Sequence, residues 1–153
     1  MMTKHSDECY TPPWVFEALG VRFDLDVCGV HEGACVPADR VYTIADNGLV
    51  QPWWGHEFVW MNPPYSKPRP WVEKFMQHRN GIALLPLAKS AWFNMLFNDC
   101  KTACPLPPSV RFIKNGKPHS IFSGVILFGY GEQAVDAIAR FREYKPIGMS
   151  CQA

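Results

Sequence analysis

The sequence predicts an α/β fold in a single domain, with a mainly parallel sheet and an antiparallel pair near the C-terminus. Three observations carry this expectation. Short apolar runs alternate along the chain with segments of helical periodicity, the order that strand–helix–strand units require. One of those runs, Ile82 to Leu87, is continuously apolar, as expected of a strand covered on both faces. The chain has 153 residues, 48% of them hydrophobic and 19% charged, enough for one core and too apolar for a disordered chain.

Taken in order, Thr11 followed by Pro12 marks a helix start, and the helix Pro13 to Leu19 ends at Gly20. Arg22 to Cys28 (RFDLDVC) alternates apolar and charged side chains through Phe23, Leu25 and Val27 before Gly29, the pattern of a strand running into a turn. Residues 29–56 are irregular, with a short strand at Val41 to Thr43 and a turn at Asp46, Asn47 and Gly48. Phe58 to Met61 forms the next strand, stopped by Pro63 and Pro64, which cannot donate to a ladder. The spacing of Trp71, Val72, Phe75 and Met76 predicts a helix over Trp71 to Arg79, ended by Asn80 and Gly81. The strand Ile82 to Leu87 follows, and then a helix at Ser90 to Phe97. Beyond the turn-rich Cys104 to Pro108, the runs Val110 to Ile113 and Ile121 to Phe128 read as a hairpin joined by the polar loop Lys114 to Pro118. In the last helix, Glu132 to Glu143, one face carries Ala134, Val135, Ile138 and Phe141. Glu132 lies early and Arg140 and Arg142 late, matching the helix dipole.

The 11 glycines and 14 prolines call for many turns, but no repeat or low-complexity run occurs, which excludes solenoids and collagens. No apolar run reaches the ~18 residues of a membrane span, and MMTKHSDECY lacks the apolar stretch of a signal peptide. A soluble, cytoplasmic protein with no membrane partner is expected. The six cysteines form no CxxC pair and read as reduced thiols. Cys28, His31 and Cys35, with Cys9 as a fourth ligand, fit no standard zinc spacing, so no metal is expected.

Charge is unevenly spread. Residues 1–50 carry three Lys or Arg against eight carboxylates, a net −5, whereas residues 51–153 carry a net +6. Between Lys67 and Lys117 nine basic residues face only Glu73 and Asp99. One part of the surface is thereby suited to a polyanion, although ordinary solvated charge gives the same pattern.

The chemistry concentrates in VWMNPPYS. In a parallel sheet, ligands bind beyond the carboxyl ends of strands, where Asn62, Pro63, Pro64 and Tyr65 fall. The paired prolines stiffen the backbone, the Asn62 side chain offers one oxygen and the Pro63 carbonyl a second acceptor, a pair that suits an exocyclic amine. Tyr65 offers a flat ring for a planar heterocycle. A proline-rich turn beside a buried tyrosine is the plainer alternative.

At these residues the chain resembles a known family. NPPY resembles the catalytic motif of amino-directed DNA methyltransferases. The ordered set YTPP, LDVCG, ADNGL, QPW, VWMNPPYS, PWVEK and LLPL resembles the phage-type N6-adenine DNA methyltransferases, from Tyr10 to Leu87, with RFI at Arg111 to Ile113 as a weaker extension. The resemblance implies a reduced, Rossmann-like class I methyltransferase fold filling residues 1–153, with S-adenosylmethionine (SAM) as donor and adenine in DNA as acceptor. It implies that Tyr10, Thr11 and Pro12 pack against the methionine end of SAM. Asp26, with Cys28 beside it, would lie at the cofactor's amino-acid moiety. Asp46, with Asn47, would take the adenine amino group of the cofactor. Asn62, Pro63, Pro64 and Tyr65 would receive the target base. Asp26 could instead be a plain strand-end residue, and Asp46 and Asn47 could merely make their turn.

The chain also departs from the family pattern. The glycine loop after the first strand holds only Gly29 and Gly33, short of GxGxxG, and Asp39 is a weak candidate for the acidic ribose ligand. Between Cys28 and Asn62 no recognition domain fits, so recognition falls to short loops or to a partner, a homodimer being one arrangement. Lys67 and Arg69 beside the motif, and Arg111, Lys114 and Lys117 around the hairpin, are the candidate DNA contacts. Rival readings are an N4-cytosine methyltransferase, an enzyme acting on RNA or glutamine, and a catalytically silent nucleic-acid-binding subunit.

Overall fold

The computed structural model describes residues 11–29, 36–107, 112–114, 117–119 and 124–144. Its elements in chain order are α1 (Pro13–Leu19), β1 (Phe23–Asp26), β2 (Ala38–Val41), β3 (Val59–Met61), α2 (Arg69–His78), β4 (Gly81–Pro86), α3 (Ala91–Asp99), β5 (Thr102–Pro105), β6 (Phe112–Lys114), β7 (Lys117–His119), β8 (Val125–Tyr130) and α4 (Glu132–Glu143). Six strands form one mixed sheet in the order β2-β1-β3-β4-β8-β5. The first four are parallel, and β8 runs antiparallel to both β4 and β5. This is an α/β architecture compatible with a Rossmann-like fold.

Side-chain alternation divides the core between the two faces of the sheet. Phe23, Trp60, Ile82, Leu84 and Leu127 join Phe16 and Leu19 of α1 and Ile138 and Phe141 of α4. Leu25, Val59, Met61, Ala83, Leu85 and Phe128 join Trp71, Val72 and Phe75 of α2 and Trp92, Phe93 and Leu96 of α3. A central strand such as β4 is thus covered on both sides, which is why its sequence is continuously apolar. Gly20 ends α1 at φ +64, and its N–H returns to the Phe16 carbonyl.

Several sequence expectations need correction. The second strand lies at Ala38–Val41 rather than Val41 to Thr43, paired in register with β1. β5 was not anticipated, because Cys104 to Pro108 reads as turn. Pro105 is tolerated there because β5 is the edge of the sheet and the missing N–H removes no ladder bond from an interior strand. The antiparallel hairpin is shorter than expected: Lys114 and Lys117 lie on its strands, opposite each other, rather than in the loop. The expected partner run Ile121 to Phe128 is instead represented by β8, a six-residue strand inside the main sheet, while residues 108–111 and 120–123 lie outside those described. On α4, Val135 is 40% exposed and Ala137 takes its place in the core.

Candidate active site

The chain leaves β1 toward β2 on one side and returns to β3 on the other. The carboxyl ends of β1 and β3 therefore flank a topological switch point, the place where parallel sheets open a crevice for ligands. Asp26 closes β1 in register with Trp60 of β3, and Val27 N–H donates to the Trp60 carbonyl (3.1 Å). Asn62 lies two residues further along, about 7 Å in the strand direction.

Asp26 is 2% exposed. Cys28 N–H donates to its Oδ1 at 3.2 Å, and burial nonetheless pushes the carboxyl up to about 7. With one backbone donor and no cation beside it among the described residues, burial favours the protonated acid, and a positive charge placed beside it would favour the carboxylate.

Asn62 is half-buried, and its Nδ2 donates to Thr11 Oγ1 at 3.3 Å. Thr11, itself 5% exposed, sits just before α1, so the segment leading into that helix reaches the end of β3. With Nδ2 engaged, the amide presents Oδ1 as its acceptor. Pro12 is buried and caps α1, its carbonyl accepting from Val15 N–H. Pro63 is buried and Pro64 half-buried; Tyr65 is half-buried too, and its hydroxyl donates to the Leu84 carbonyl of β4 (3.2 Å). Its ring is thereby tethered beside the motif.

The Asp46 loop lies against the end of β1. Tyr42 N–H donates to the Asp26 carbonyl and Gly29 N–H to the Tyr42 carbonyl, so the chain after β2 hugs the end of β1. Asp46 Oδ2 then accepts from Thr43 N–H (2.9 Å) and Thr43 Oγ1 (3.1 Å), while Asp46 N–H returns to the Thr43 carbonyl. Asn47 sits at φ +58 and accepts from Leu49 N–H. Both side chains are exposed and both help make the turn. At Gly48 an added Cβ would meet the Val27 carbonyl at 1.9 Å, so only glycine lets the loop lie on the end of β1. Behind the turn, Gln51 Nε2 donates to the Asp46 carbonyl, Trp53 Nε1 to the Gly48 carbonyl and the Tyr42 hydroxyl to the Pro52 carbonyl.

Of the other sequence candidates, Asp39 lies second in β2, toward the amino ends of β1 and β2 rather than the carboxyl ends, and pairs with Arg22 at 2.7 Å. Lys67, between Tyr65 and α2, and Arg69, the first residue of α2, are exposed, and Arg69 pairs with Glu73. Tyr10, Arg111 and Gly33, and Cys9, His31 and Cys35 of the zinc set that the spacing argued against, lie outside the described residues. The structure thus gathers Thr11, Asp26, Cys28, the Asp46 loop and Asn62 around the switch point. The Thr11–Asn62 bond and the web of contacts behind Gly48 were not foreseen from sequence, since they join side chains to distant or backbone partners.

Comparison with known proteins decides the family. The model of the DNA N-6-adenine-methyltransferase (Dam) family matches residues 1–128. The chain belongs to that family. It is 32% identical over 126 residues to the DNA N-6-adenine-methyltransferase of Haemophilus phage HP1, covering 74% of this chain and 71% of the relative. It is 40% identical over 78 residues to the DNA N-6-adenine-methyltransferase of Escherichia phage T1, covering 47% of this chain and 32% of that longer protein. Membership of the Dam family makes this an adenine-specific DNA methyltransferase, and its NPPY motif is the one placed at the switch point. Among the described residues of this Dam-family chain no helix is long and apolar enough to cross a membrane.

Proposed function

We propose that the chain transfers a methyl group from SAM to the N6 amine of an adenine turned out of DNA. The observation that carries the reading is the placing of a desolvated Asp26 at the end of β1 and an oriented Asn62 just past the end of the adjacent β3, at the switch point. The residues present fit such a donor: the buried Asp26 has no cation beside it among the described residues and would be ionised by the ammonium of an amino acid, and the chain leading to the Asp46 loop lies against the end of β1 beside it.

SAM, when bound, supplies an electrophilic methyl group on a good sulfonium leaving group. Asn62 Oδ1 and the Pro63 carbonyl would accept hydrogen bonds from the adenine amine and aim its lone pair, holding the reacting atoms ~3 to 3.5 Å apart. As that nitrogen becomes positive, the same two dipoles stabilise the charge without having to reorganise. Neither oxygen is a base, so the proton leaves to solvent. Flipping the base costs a few kcal/mol, and stacking on the tethered Tyr65 ring offsets part of it. Lys67 and Arg69 beside the motif, with Lys114 and Lys117 on the hairpin, would meet the phosphates.

The test is incubation of the purified chain with SAM and unmethylated DNA, then digestion and mass spectrometry of the nucleosides. N6-methyl-2′-deoxyadenosine is expected; N4-methyl-2′-deoxycytidine or no modified nucleoside overturns the reading.

A further inference from the structure

PWVEK, residues 70–74, carries no part of the chemistry above, yet its lysine has an unusual set of partners. Lys74 Nζ donates to the backbone carbonyls of Gly48 (3.4 Å), Leu49 (2.8 Å) and Gln51 (2.6 Å) and lies 5.0 Å from the centre of the Trp53 ring. An ammonium has three donors, and all three are spent on one loop. Arg22, Arg40, Arg69 and Arg79 each pair with a carboxylate, whereas among the described residues none pairs with Lys74. Desolvation holds its pKa below the usual lysine range. Trp71, one turn earlier on α2, reaches the same glycine, 3.3 Å from where a Gly48 Cβ would stand. The loop is thus gripped from two sides, by the end of β1 and by α2.

Within residues 46–53 only Leu49 and Trp53 pack against the core, whereas Val50 is 72% exposed and Ile44, just before them, 63%. Segments of this kind open locally at small cost unless something holds them. Helix α2 begins four residues after Tyr65, so its grip joins the wall of the cofactor crevice to the base-receiving motif. We propose that Lys74 is a positioning residue for methyl transfer, its ammonium locking residues 46–53 in place as one wall of the SAM crevice. The proposal rests on the cofactor reading given above.

Its test compares wild type with Lys74→Met, which keeps the aliphatic stem over Trp53, by amide hydrogen exchange, calorimetry with SAM and steady-state kinetics. Exchange across residues 46–53 is expected to quicken about tenfold or more with β4 and α4 unchanged, and the KM for SAM to rise about tenfold while kcat stays within a few fold. Unchanged exchange overturns the lock. Faster exchange with unaltered SAM affinity overturns the positioning role and leaves the cofactor reading standing. A wild-type chain that binds no SAM removes both, which separates the two failures. Should Lys74→Met melt below assay temperature, Lys74→Gln is put through the same measurements with the same criteria.

Discussion

Thr11 Oγ1 accepts a hydrogen bond from Asn62 Nδ2 across 51 positions of sequence. The bond joins the entry to α1 with the end of β3 and decides which face of the Asn62 amide is offered to a ligand. Thr11→Val keeps the shape and removes the acceptor, so the amide can rotate. An approximately tenfold loss of kcat is expected, the scale of one net hydrogen bond, with melting temperature nearly unchanged. Thr11→Ser should retain most of the rate. Equal kcat in wild type and Thr11→Val would show that the bond does not orient the amide during turnover.

Asn62→Ala removes the side-chain acceptor itself. Folding and SAM affinity should be nearly intact while turnover falls by about two orders of magnitude, as for other preorganised polar partners. Single-turnover methylation with saturating SAM reads this directly, and a wild-type rate would sink the catalytic assignment.

Asp26 links the site to pH. Its carboxyl, ordinarily near 3.8, titrates near 7 in the ligand-free fold because burial disfavours the charge. The folded state therefore holds a proton that the unfolded chain has released, and the contribution of this group to stability falls as pH rises from about 4 to about 7. Asp26→Asn, which cannot ionise, should melt higher than wild type at pH 8 and lose that slope. Binding runs the other way. An ammonium favours the ionised carboxylate, so SAM affinity in wild type should weaken as pH drops below 7, approaching about tenfold per unit. In Asp26→Asn the affinity should be lower and nearly flat with pH. Calorimetry in matched buffers from about pH 5.5 to about pH 8.5, roughly 1.5 units either side of the pKa, would expose a flat wild-type profile and with it a mistaken role.

The parts of this fold that were legible from sequence are those whose signal is local. The alternation around Leu25, the proline stop after Met61 and the unbroken run of β4 each announce a strand, and NPPY announces itself. β5 was hidden because an edge strand can end in Pro105 and so carries the composition of a turn. The hairpin was misplaced because the polar Lys114 and Lys117 look like loop, although a pair of strands this short needs no apolar face. Lys74 was illegible for a different reason: its partners are backbone carbonyls 23 to 26 positions away, and carbonyls are the same in every residue.

Asp46 separates two roles that its position allows. Its Oδ2 already holds Thr43, so any turn function is served within the loop. If Asp46 also takes the adenine amino group of SAM, Asp46→Ala should weaken SAM by ~1 to 3 kcal/mol, the cost of an unsatisfied donor. Thr43→Val removes one turn bond and leaves the carboxylate, so it should weaken SAM much less. Equal losses in the two variants would assign Asp46 to the turn alone.

The hairpin and the segment after the motif divide the remaining basic surface. Lys114 and Lys117 are backbone partners in the register of the two-stranded ribbon. If the ribbon meets the DNA backbone, Lys114→Ala and Lys117→Ala should each weaken binding equally at all sequences and lower the salt slope by about 1. A change in which adenines are methylated would instead mark the hairpin as the reader of bases, filling the place of the recognition domain that the short β1-to-β3 connection leaves no room for. With affinity and slope both unaltered, the phosphates must lie elsewhere, and the same pair of measurements on Lys67→Ala then decides. Lys67 is exposed two residues after Tyr65, whereas Arg69 is already engaged by Glu73, so Lys67 should show the larger slope change.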